Sequence, residues 1–329
     1  MKKRNTLILD KSCINRLLDM KEAMQAVERA FSLFGKGKTQ MPAKIYLDLK
    51  KFNGDFRAMP AFVEGMGAAL KWVNVHPDNR RKHLPTVMAT IILSDPKTGF
   101  PIAILDGTQI TNYRTGAAGG VAAKYLARKK SSVIALIGCG EQAKTQLLAM
   151  ETLYKIKQVQ VWGHQRALVE AFVKSVGRKA YKIHKAKTIK ECCHNADIII
   201  TTTPSRKALV KKSWLKKTAH INAIGADAPG KQELDVNILK DAKIVVDDWR
   251  QARHSGEINI ALAKHKITKK QIYAEIAQII NKRKPGRTNK DGLSVFDSTG
   301  LAIQDVALSY QIYRKAKAKG LGHNIHLTD

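Results

Sequence analysis

The sequence has few cysteines, no long apolar run and few acidic residues, and each shortage excludes a class of protein. No stretch approaches the roughly 20 consecutive apolar residues that a membrane-spanning helix needs. The first apolar run, within MKKRNTLILD, ends at Asp10 and is too short for a secretory signal peptide. We therefore expect a cytoplasmic protein that does not cross a membrane.

The cysteines form no CxxC pair, and two of them are adjacent in the chain. They are Cys13, Cys139, Cys192 and Cys193. Such spacing is typical of reduced thiols in a reducing compartment. The sequence also contains no HExxH motif and no Cys/His ligand set, so we predict that the protein has no metal site.

The shortage of acids leaves a large positive charge, because 58 Lys and Arg residues face 27 Asp and Glu residues, for a formal net charge of +31. This charge raises the hypothesis of a nucleic-acid-binding protein, which predicts duplex binding that weakens steeply with salt. The basic residues, however, occur in short runs such as 128–130 and 216–217, without a recognised nucleic-acid module. We favour a solvated, lysine-rich surface and expect no nucleic-acid partner.

The first third of the chain predicts one helix followed by strands. Apolar residues recur at helical spacing between Asp19, a plausible N-cap, and Gly35. Extended segments follow, separated by Gly, Pro, Asn and Asp: 45–49, 57–63, 69–75, 87–93 and 102–105. A small-residue helix over 111–127 leads to the next part of the chain.

From Ser131 the pattern changes to alternating strands and helices, which is typical of a parallel sheet covered by helices on both faces. The predicted strands are 133–137, 158–162, 196–203, 220–225 and 243–247. A final helix over 301–318 returns to the first part. The predicted fold is α/β, with a Rossmann-type doubly wound parallel sheet domain over 116–300 and an α+β sheet domain over 1–115 and 301–329.

The turn Gly138-x-Gly140-x-x-Ala143 follows the apolar strand VIALI and opens the helical stretch 142–154. A dinucleotide site needs this arrangement, because glycines allow a tight turn and close approach of backbone N–H groups to a pyrophosphate. The small Ala143 lets the helix pack closely on the strand. We predict a nicotinamide cofactor at this turn.

The residues after the second strand of this domain distinguish NAD from NADP. An NAD site normally has Asp or Glu there, to bind the ribose 2′-hydroxyl. This chain instead has Gly163, His164, Gln165 and Arg166. We therefore favour NADP(H), with NAD(H) possible, and the alternative is that Arg166 is a solvated residue of the next helix.

Four basic residues lie in otherwise apolar or small-residue stretches of the first domain: Lys44, Arg57, Lys71 and Arg114. Such cations suit a small carboxylate substrate, although each could be a surface charge. Asp227 lies just past an apolar strand, at the edge where α/β proteins bind ligands. It could move protons while the nicotinamide moves hydride, or it could simply cap the Pro229–Gly230 turn.

Several longer motifs resemble the ornithine cyclodeaminase and mu-crystallin family over nearly the whole chain. They are KWVNVHP, RTGAAGG, IGCGEQA, TTTPSRK, INAIGADAPGKQEL and FDSTGLAIQD. Within that family, MPAKIYLDL, RAMPA and KIVVDD are similar to the archaeal-type alanine dehydrogenases. The resemblance implies a homodimer built by the N-terminal sheet domain and the C-terminal helix, with the active site in the cleft between the domains.

The resemblance also implies roles for individual residues. Lys71 and Arg114 would hold the substrate carboxylate, Lys44 and Arg57 would complete the pocket, and Asp227 would be the acid/base, so that Asp227 and Lys71 are the catalytic residues. The remaining positions would bind the cofactor: Thr86, Thr115, Gly138, Gly140, Gln142, Ala143, His164, Gln165, Arg166, Thr202, Lys231 and Ser298.

The chain departs from parts of the family pattern. Ornithine cyclodeaminases tend to carry an acid where Arg57 stands, and a cation there would repel the distal ammonium of ornithine. The missing acid after Trp162 resembles the NADP-binding mu-crystallin branch, but that branch tends to lack the equivalent of Asp227. We predict reversible oxidative deamination of L-alanine to pyruvate and ammonia. The alternatives are ornithine cyclodeamination, NADPH-dependent reduction of a cyclic ketimine, and a non-enzymatic NADPH-binding protein.

Overall fold

The computed structural model describes residues 4–327, and the chain divides into two units. Unit 1 comprises 1–114 and 301–329, and unit 2 comprises 115–300. The predicted fold class, a doubly wound parallel sheet plus a second sheet domain, is confirmed. The division into a substrate-binding and dimerisation domain (1–115 and 301–329) and a dinucleotide-binding domain (116–300) stays a prediction. No helix within residues 4–327 is long and apolar enough to cross a membrane.

Unit 1 is built on one eight-stranded sheet with the order β16-β1-β7-β6-β5-β4-β2, in which β3 also pairs with β4. Its strands are β1 (Thr6–Leu9), β2 (Thr39–Gln40), β3 (Ile45–Leu49), β4 (Gly54–Val63), β5 (Gly67–Val75), β6 (Val87–Ser94), β7 (Pro101–Asp106) and β16 (His323–Ile325). Its helices are α1 (Lys11–Asn15), α2 (Met20–Gly35) and α11 (Ala302–Ala318), with 3-10 turns at Lys50–Phe52 and Pro77–Lys82. Helix α3 (Gly107–Leu126) contains the boundary between the units.

The central strands of unit 1 have one covered face and one open face. Over 57–63 in β4, 67–73 in β5 and 89–94 in β6, odd-numbered residues are buried and even-numbered residues are more exposed, as period-two alternation requires. Helices α2 and α11 pack together, and α11 lies against β4, β5 and β6. Asp19 caps α2, since its carboxylate accepts the backbone N–H of Glu22 at 2.8 Å, as the sequence predicts.

Unit 2 is a parallel sheet with the order β10-β9-β8-β11-β12-β15-β13-β14. Its strands are β8 (Val133–Ile137), β9 (Gln158–Trp162), β10 (Lys182–Lys185), β11 (Ile198–Thr201), β12 (His220–Ala223), β13 (Lys243–Val246), β14 (Ile272–Glu275) and β15 (Ser294–Asp297). Its helices are α4 (Glu141–Leu153), α5 (Arg166–Val176), α6 (Ile189–Cys193), α7 (Val236–Asp241), α8 (Trp249–Ser255), α9 (Asn259–Ala263) and α10 (Ile276–Ile280), with 3-10 turns at Lys212–Trp214 and Lys269–Gln271.

The order of this sheet determines where a ligand binds. After β8 the chain adds β9 and β10 on one side, and then it returns to add β11 on the other side. The change of direction between β8 and β11 is the switch point at which doubly wound proteins bind ligands, outside the carboxyl ends of the strands. The turn after β8 and Thr202 after β11 lie at this edge.

Candidate active site

Two basic side chains point from the sheet of unit 1 into its covered face. Lys71 on β5 is 1% exposed and Arg57 on β4 is 6% exposed, although lysine and arginine are rarely buried without partners. Where β4 and β5 pair, Arg57 lies opposite Val73 and Lys71 lies opposite Met59. The two cations are therefore diagonal neighbours on one face of the sheet. The register of these strands therefore brings two of the predicted substrate-binding residues together.

Asp305, in the first turn of α11, binds two of the predicted cations. One of its oxygens accepts a hydrogen bond from Lys71 Nζ at 2.8 Å, and the other accepts one from Arg114 Nε at 3.1 Å. Arg114 Nη1 also donates to the side-chain oxygen of Gln304 at 3.1 Å. All four side chains are buried. Neither Asp305 nor Gln304 was predicted from the sequence, although an acid within the apolar stretch LAIQDVAL was a signal for a buried partner.

The surroundings of Lys71 weaken its hold on a proton. Burial is the largest influence, and it lowers the pKa of Lys71 from 10.5 to about 7. The positive charges of Arg114 and Lys44 act in the same direction, whereas Asp305 opposes them. Because a bound carboxylate would favour the charged ammonium, the ligand that this site suits is an anion.

Arg57 has its own acidic partner. Its Nε donates to one oxygen of Asp55 at 2.7 Å and its Nη2 to the other at 3.2 Å, and its guanidinium lies over the ring of Tyr46 at 5.3 Å. Asp55 therefore offsets the charge that we expected to repel the ammonium of ornithine. The repulsion between Arg57 and the ammonium of ornithine is therefore weaker than the sequence alone indicates.

The glycine turn of unit 2 has the geometry that a pyrophosphate needs. Gly138 has a φ of 108°, and a Cβ at this position would lie 2.5 Å from the Thr202 hydroxyl oxygen, so only glycine fits. Gly140 caps α4, and a Cβ there would meet nothing within 4 Å. The open space beside Gly140 at a helix N-terminus suits a phosphate. Ala143 is fully buried where α4 packs on the sheet, and Gln142 lies in the same first turn.

No carboxylate follows β9 before helix α5. His164, Gln165 and Arg166 are exposed, Gln165 is the N-cap of α5, and Arg166 begins that helix. Arg166 donates from Nε to Glu170 one turn further on, at 3.2 Å. A Cβ at Gly163 would lie 2.6 Å from Cys139 Sγ, so this loop packs directly on the glycine turn. The loop that carries His164 and Arg166 therefore lies beside the turn that suits a pyrophosphate.

The loop after β12 pairs the predicted acid/base with a lysine. Lys231 Nζ donates to Asp227 at 2.5 Å, and both side chains are partly exposed. Gly230 N–H donates to the Asn259 side chain at 3.1 Å, and the Asn259 amide donates to the Lys231 carbonyl at 2.9 Å. This loop is thus attached to helix α9. We expected Lys231 only beside the nicotinamide, and its pairing with Asp227 is an additional finding.

The other predicted cofactor residues lie on both units. Ser298 is buried after β15, and its N–H donates to the Ala223 carbonyl at 3.0 Å. Thr115 lies in α3, where its carbonyl accepts the Gln146 amide at 2.9 Å. Thr86 precedes β6 in unit 1, and its carbonyl accepts the His76 N–H at 2.8 Å. Within residues 4–327, no group of three or more His, Cys, Asp or Glu side chains is arranged to hold a metal ion.

Comparisons with known proteins match nearly the whole chain. The model of the ornithine cyclodeaminase/mu-crystallin family matches residues 4–320. An alanine dehydrogenase of Archaeoglobus fulgidus is 50% identical over 322 residues, which cover 97% of this chain and 98% of that protein.

Two solved structures have the same fold. An archaeal alanine dehydrogenase dimer with bound NAD is 49% identical with a TM-score of 0.94, and the match covers 98% of this chain and 100% of that one. The Δ1-pyrroline-2-carboxylate reductase of Thermococcus litoralis, in complex with NADH and L-proline, is 37% identical with a TM-score of 0.94, over 97% of this chain and 100% of that one. The chain therefore belongs to the ornithine cyclodeaminase/mu-crystallin family.

Proposed function

We propose that the protein is a nicotinamide-dependent oxidoreductase that deaminates L-alanine reversibly to pyruvate and ammonia. The observation that carries the proposal is the buried cluster of Lys71, Arg114 and Asp305, which combines two cations with one acid. An excess of positive charge in a buried site suits the carboxylate of a small amino or keto acid. The 50% identity to an alanine dehydrogenase supports alanine as the substrate.

In this proposal the carboxylate of alanine binds to Lys71 and Arg114, with Lys44 and Arg57 completing the pocket. When bound, the cofactor accepts a hydride from Cα in one direction and donates it in the other. Oxidation of the amine leaves an iminium, and water adds to its carbon. Asp227 takes a proton from that water and passes it to the nitrogen, which leaves as ammonia, and the remaining hydroxyl group loses its proton to that ammonia, so that pyruvate and ammonium are released. Lys231 donates a hydrogen bond to Asp227 at 2.5 Å and so holds this carboxylate in place.

The reaction assay separates this function from the second candidate. NAD(P)H oxidation would be followed with pyruvate plus ammonium and with Δ1-pyrroline-2-carboxylate, and proline formation would be followed with ornithine. We expect turnover of pyruvate and a loss of about 100-fold or more in kcat for Asp227→Asn, because acid/base catalysis typically contributes that much. The second candidate is reduction of pyrroline-2-carboxylate, which the 37% identical reductase favours. Turnover of ornithine or the cyclic imine without turnover of pyruvate would refute alanine as the substrate.

For the cofactor, we propose NADP(H) in preference to NAD(H). The support is the absence of an acid between Trp162 and Arg166, together with the exposed side chains of His164 and Arg166 at that position. Arg166→Ala should raise KM for NADPH by about 10- to 100-fold, since a charge-assisted hydrogen bond contributes roughly 1.5–3 kcal/mol. KM for NADH should change less than about twofold. The control is Arg178→Ala, because Arg178 is an exposed arginine just past the other end of α5, and this change should alter both KM values less than about twofold. Equal effects of Arg166→Ala on both cofactors would contradict a 2′-phosphate site.

We also propose that the protein is a homodimer joined through the open face of the unit 1 sheet. On this face Leu70 is 37% exposed, Trp72 is 43% exposed and Ile92 is 39% exposed. Leu70 pairs with both Pro60 and Ile92 across three neighbouring strands, so the exposed apolar side chains are contiguous. An apolar surface of this kind is typical of a subunit interface.

A further inference from the structure

Four acidic residues without exposure to solvent line the carboxyl edge of the unit 2 sheet. Glu233, Asp247, Glu257 and Asp297 are each 0% exposed. Acidic side chains are rarely buried so completely, and this protein has far fewer acids than bases. Their position next to the residues proposed to bind the cofactor indicates a role at that edge.

Glu233 joins the ends of two neighbouring strands. One of its carboxylate oxygens accepts the N–H and the hydroxyl of Thr203, both at 2.7 Å. The other oxygen accepts the N–H of Gly225 at 2.9 Å. Thr203 lies two residues past β11 and Gly225 lies two residues past β12. A Cβ at Gly225 would lie 2.5 Å from the Glu233 oxygen, so the contact leaves no space for another side chain.

Two further buried acids, Glu257 and Asp297, hold the backbone around Glu233 in place. Glu257 accepts the N–H groups of Glu233 and Leu234 at 2.7–3.0 Å. Asp297 accepts the N–H groups of Glu257 and Ile258 at 2.9 and 3.1 Å. Each carboxylate thus binds the backbone of the residue that carries the preceding carboxylate. The series ends at Asp297, which directly precedes Ser298.

This series is held by hydrogen bonds and not by basic side chains. Within residues 4–327, Glu233, Glu257 and Asp297 form no ion pair with Lys or Arg, and their contacts are to N–H and hydroxyl groups. Burial raises the pKa of Glu233 and Glu257, and it raises the pKa of Asp297 to about 8. Keeping these acidic side chains buried costs stability, which indicates that the backbone geometry they hold at this edge of the sheet serves the function of the protein.

We infer that Glu233 is a positioning residue of the proposed dehydrogenase, because its carboxylate sets the spacing between Thr202 and Asp227 by binding Thr203 and Gly225. The inference rests on the proposed function. Thr202 belongs to the glycine-turn site, and Asp227 is the proposed acid/base two residues past Gly225. A carboxylate offers only acceptors, which matches the three donors around it.

The test variant is Glu233→Gln, which keeps the size of the side chain. Its amide NH₂ group would face the N–H donors of either Thr203 or Gly225, so one of these hydrogen bonds is lost. We expect kcat to fall by about 100-fold, because displacement of a reacting group by about 1 Å has effects of that order. The Kd for NADPH, from fluorescence titration, should change less than about threefold. Hydrogen–deuterium exchange should be at least about tenfold faster at Thr203 and Gly225.

The matched control is Asp197→Asn at the opposite edge of the same sheet. Asp197 also accepts two backbone N–H groups, from Ser132 and Val133 at 2.9 and 3.0 Å. It should lose stability without a change in kcat. A second variant, Glu233→Asp, keeps the charge but cannot reach both Thr203 and Gly225, so it should reproduce the loss of kcat if Glu233→Gln does not fold.

Unchanged kcat in the Glu233 variants, or an equal loss in Asp197→Asn, would overturn the inference. Failure of the proposed function has a different signature, since the wild-type protein would then turn over neither pyruvate nor alanine. In that case the exchange rates at Thr203 and Gly225 still decide whether Glu233 holds the two strand ends. Unchanged exchange in Glu233→Gln would overturn that part as well.

Discussion

The buried ammonium of Lys71 makes carboxylate binding depend on pH near neutrality. Its pKa is lowered to about 7 by burial and by the charges of Arg114 and Lys44. Below this pH Lys71 is charged and can bind a carboxylate, and above it the neutral amine cannot. We therefore expect the affinity for a carboxylate ligand to decrease as the pH rises above about 7.

The size of the effect follows from the same pKa. The difference between the ordinary value of 10.5 and about 7 corresponds to about 5 kcal/mol, which is the cost of keeping the charge in this site. A ligand carboxylate offsets part of that cost, so above pH 7 Lys71 takes up a proton when the ligand binds. The inhibition constant of a carboxylate should then rise about tenfold for each pH unit, until the pKa of Lys71 in the complex is reached.

The assay uses propionate as a competitive inhibitor against pyruvate, because propionate stays ionised throughout the range from about pH 6 to about pH 9. Lys71→Met should remove the pH dependence and weaken inhibition at low pH by about 10- to 100-fold, the loss expected for one charge-assisted hydrogen bond. Lys38→Met is the control, because Lys38 is exposed on the same unit and pairs with Glu64 at 2.8 Å.

The unfolding free energy supplies an independent check of the sign. Because the pKa is lower in the folded chain than in the unfolded chain, the unfolded chain binds more protons between about pH 7 and pH 10.5. The contribution of Lys71 to stability is therefore present above pH 10.5 and is lost as the pH falls towards 7. A flat inhibition constant in the wild type, or an unchanged slope in Lys71→Met, would refute the reasoning.

Two other predictions concern stability and assembly. Since the pKa of Asp297 is raised to about 8, its contribution to stability is present below pH 4 and is lost as the pH rises to 8. The unfolding free energy of Asp297→Asn, measured in urea, should therefore gain about 1.4 kcal/mol per pH unit relative to wild type between about pH 5 and pH 8. A constant difference between the two proteins would contradict this. Leu70→Glu should convert the proposed dimer to monomers in analytical ultracentrifugation, because it places a charge on the apolar face. The control Leu84→Glu should leave the dimer intact, because Leu84, 48% exposed, lies in the turn before β6. A dimer that survives Leu70→Glu would place the interface elsewhere.

The parts of the fold that follow local rules were predictable from sequence. The glycine turn, helix α2 and the strands of unit 2 at 133–137 and 158–162 have the bounds that their patterns predict. Six strands were missed: β1, β2, β10, β14, β15 and β16. Strand β10, with the sequence KIHK, and strand β16, with the sequence HNI, lie at sheet edges and are mostly exposed, so they carry no apolar alternation.

The sequence by itself therefore determined the two kinds of sheet, the dinucleotide turn and the isolated cations of the candidate site. Only the tertiary structure decided their partners: Asp305 is 234 residues from Lys71 and 191 from Arg114 along the chain, and no periodicity links them. The tertiary structure likewise paired Asp55 with Arg57 and placed Glu233 between two strand ends. The physical reason is that a turn depends on neighbouring residues, whereas the compensation of a buried charge depends on which distant segments pack together.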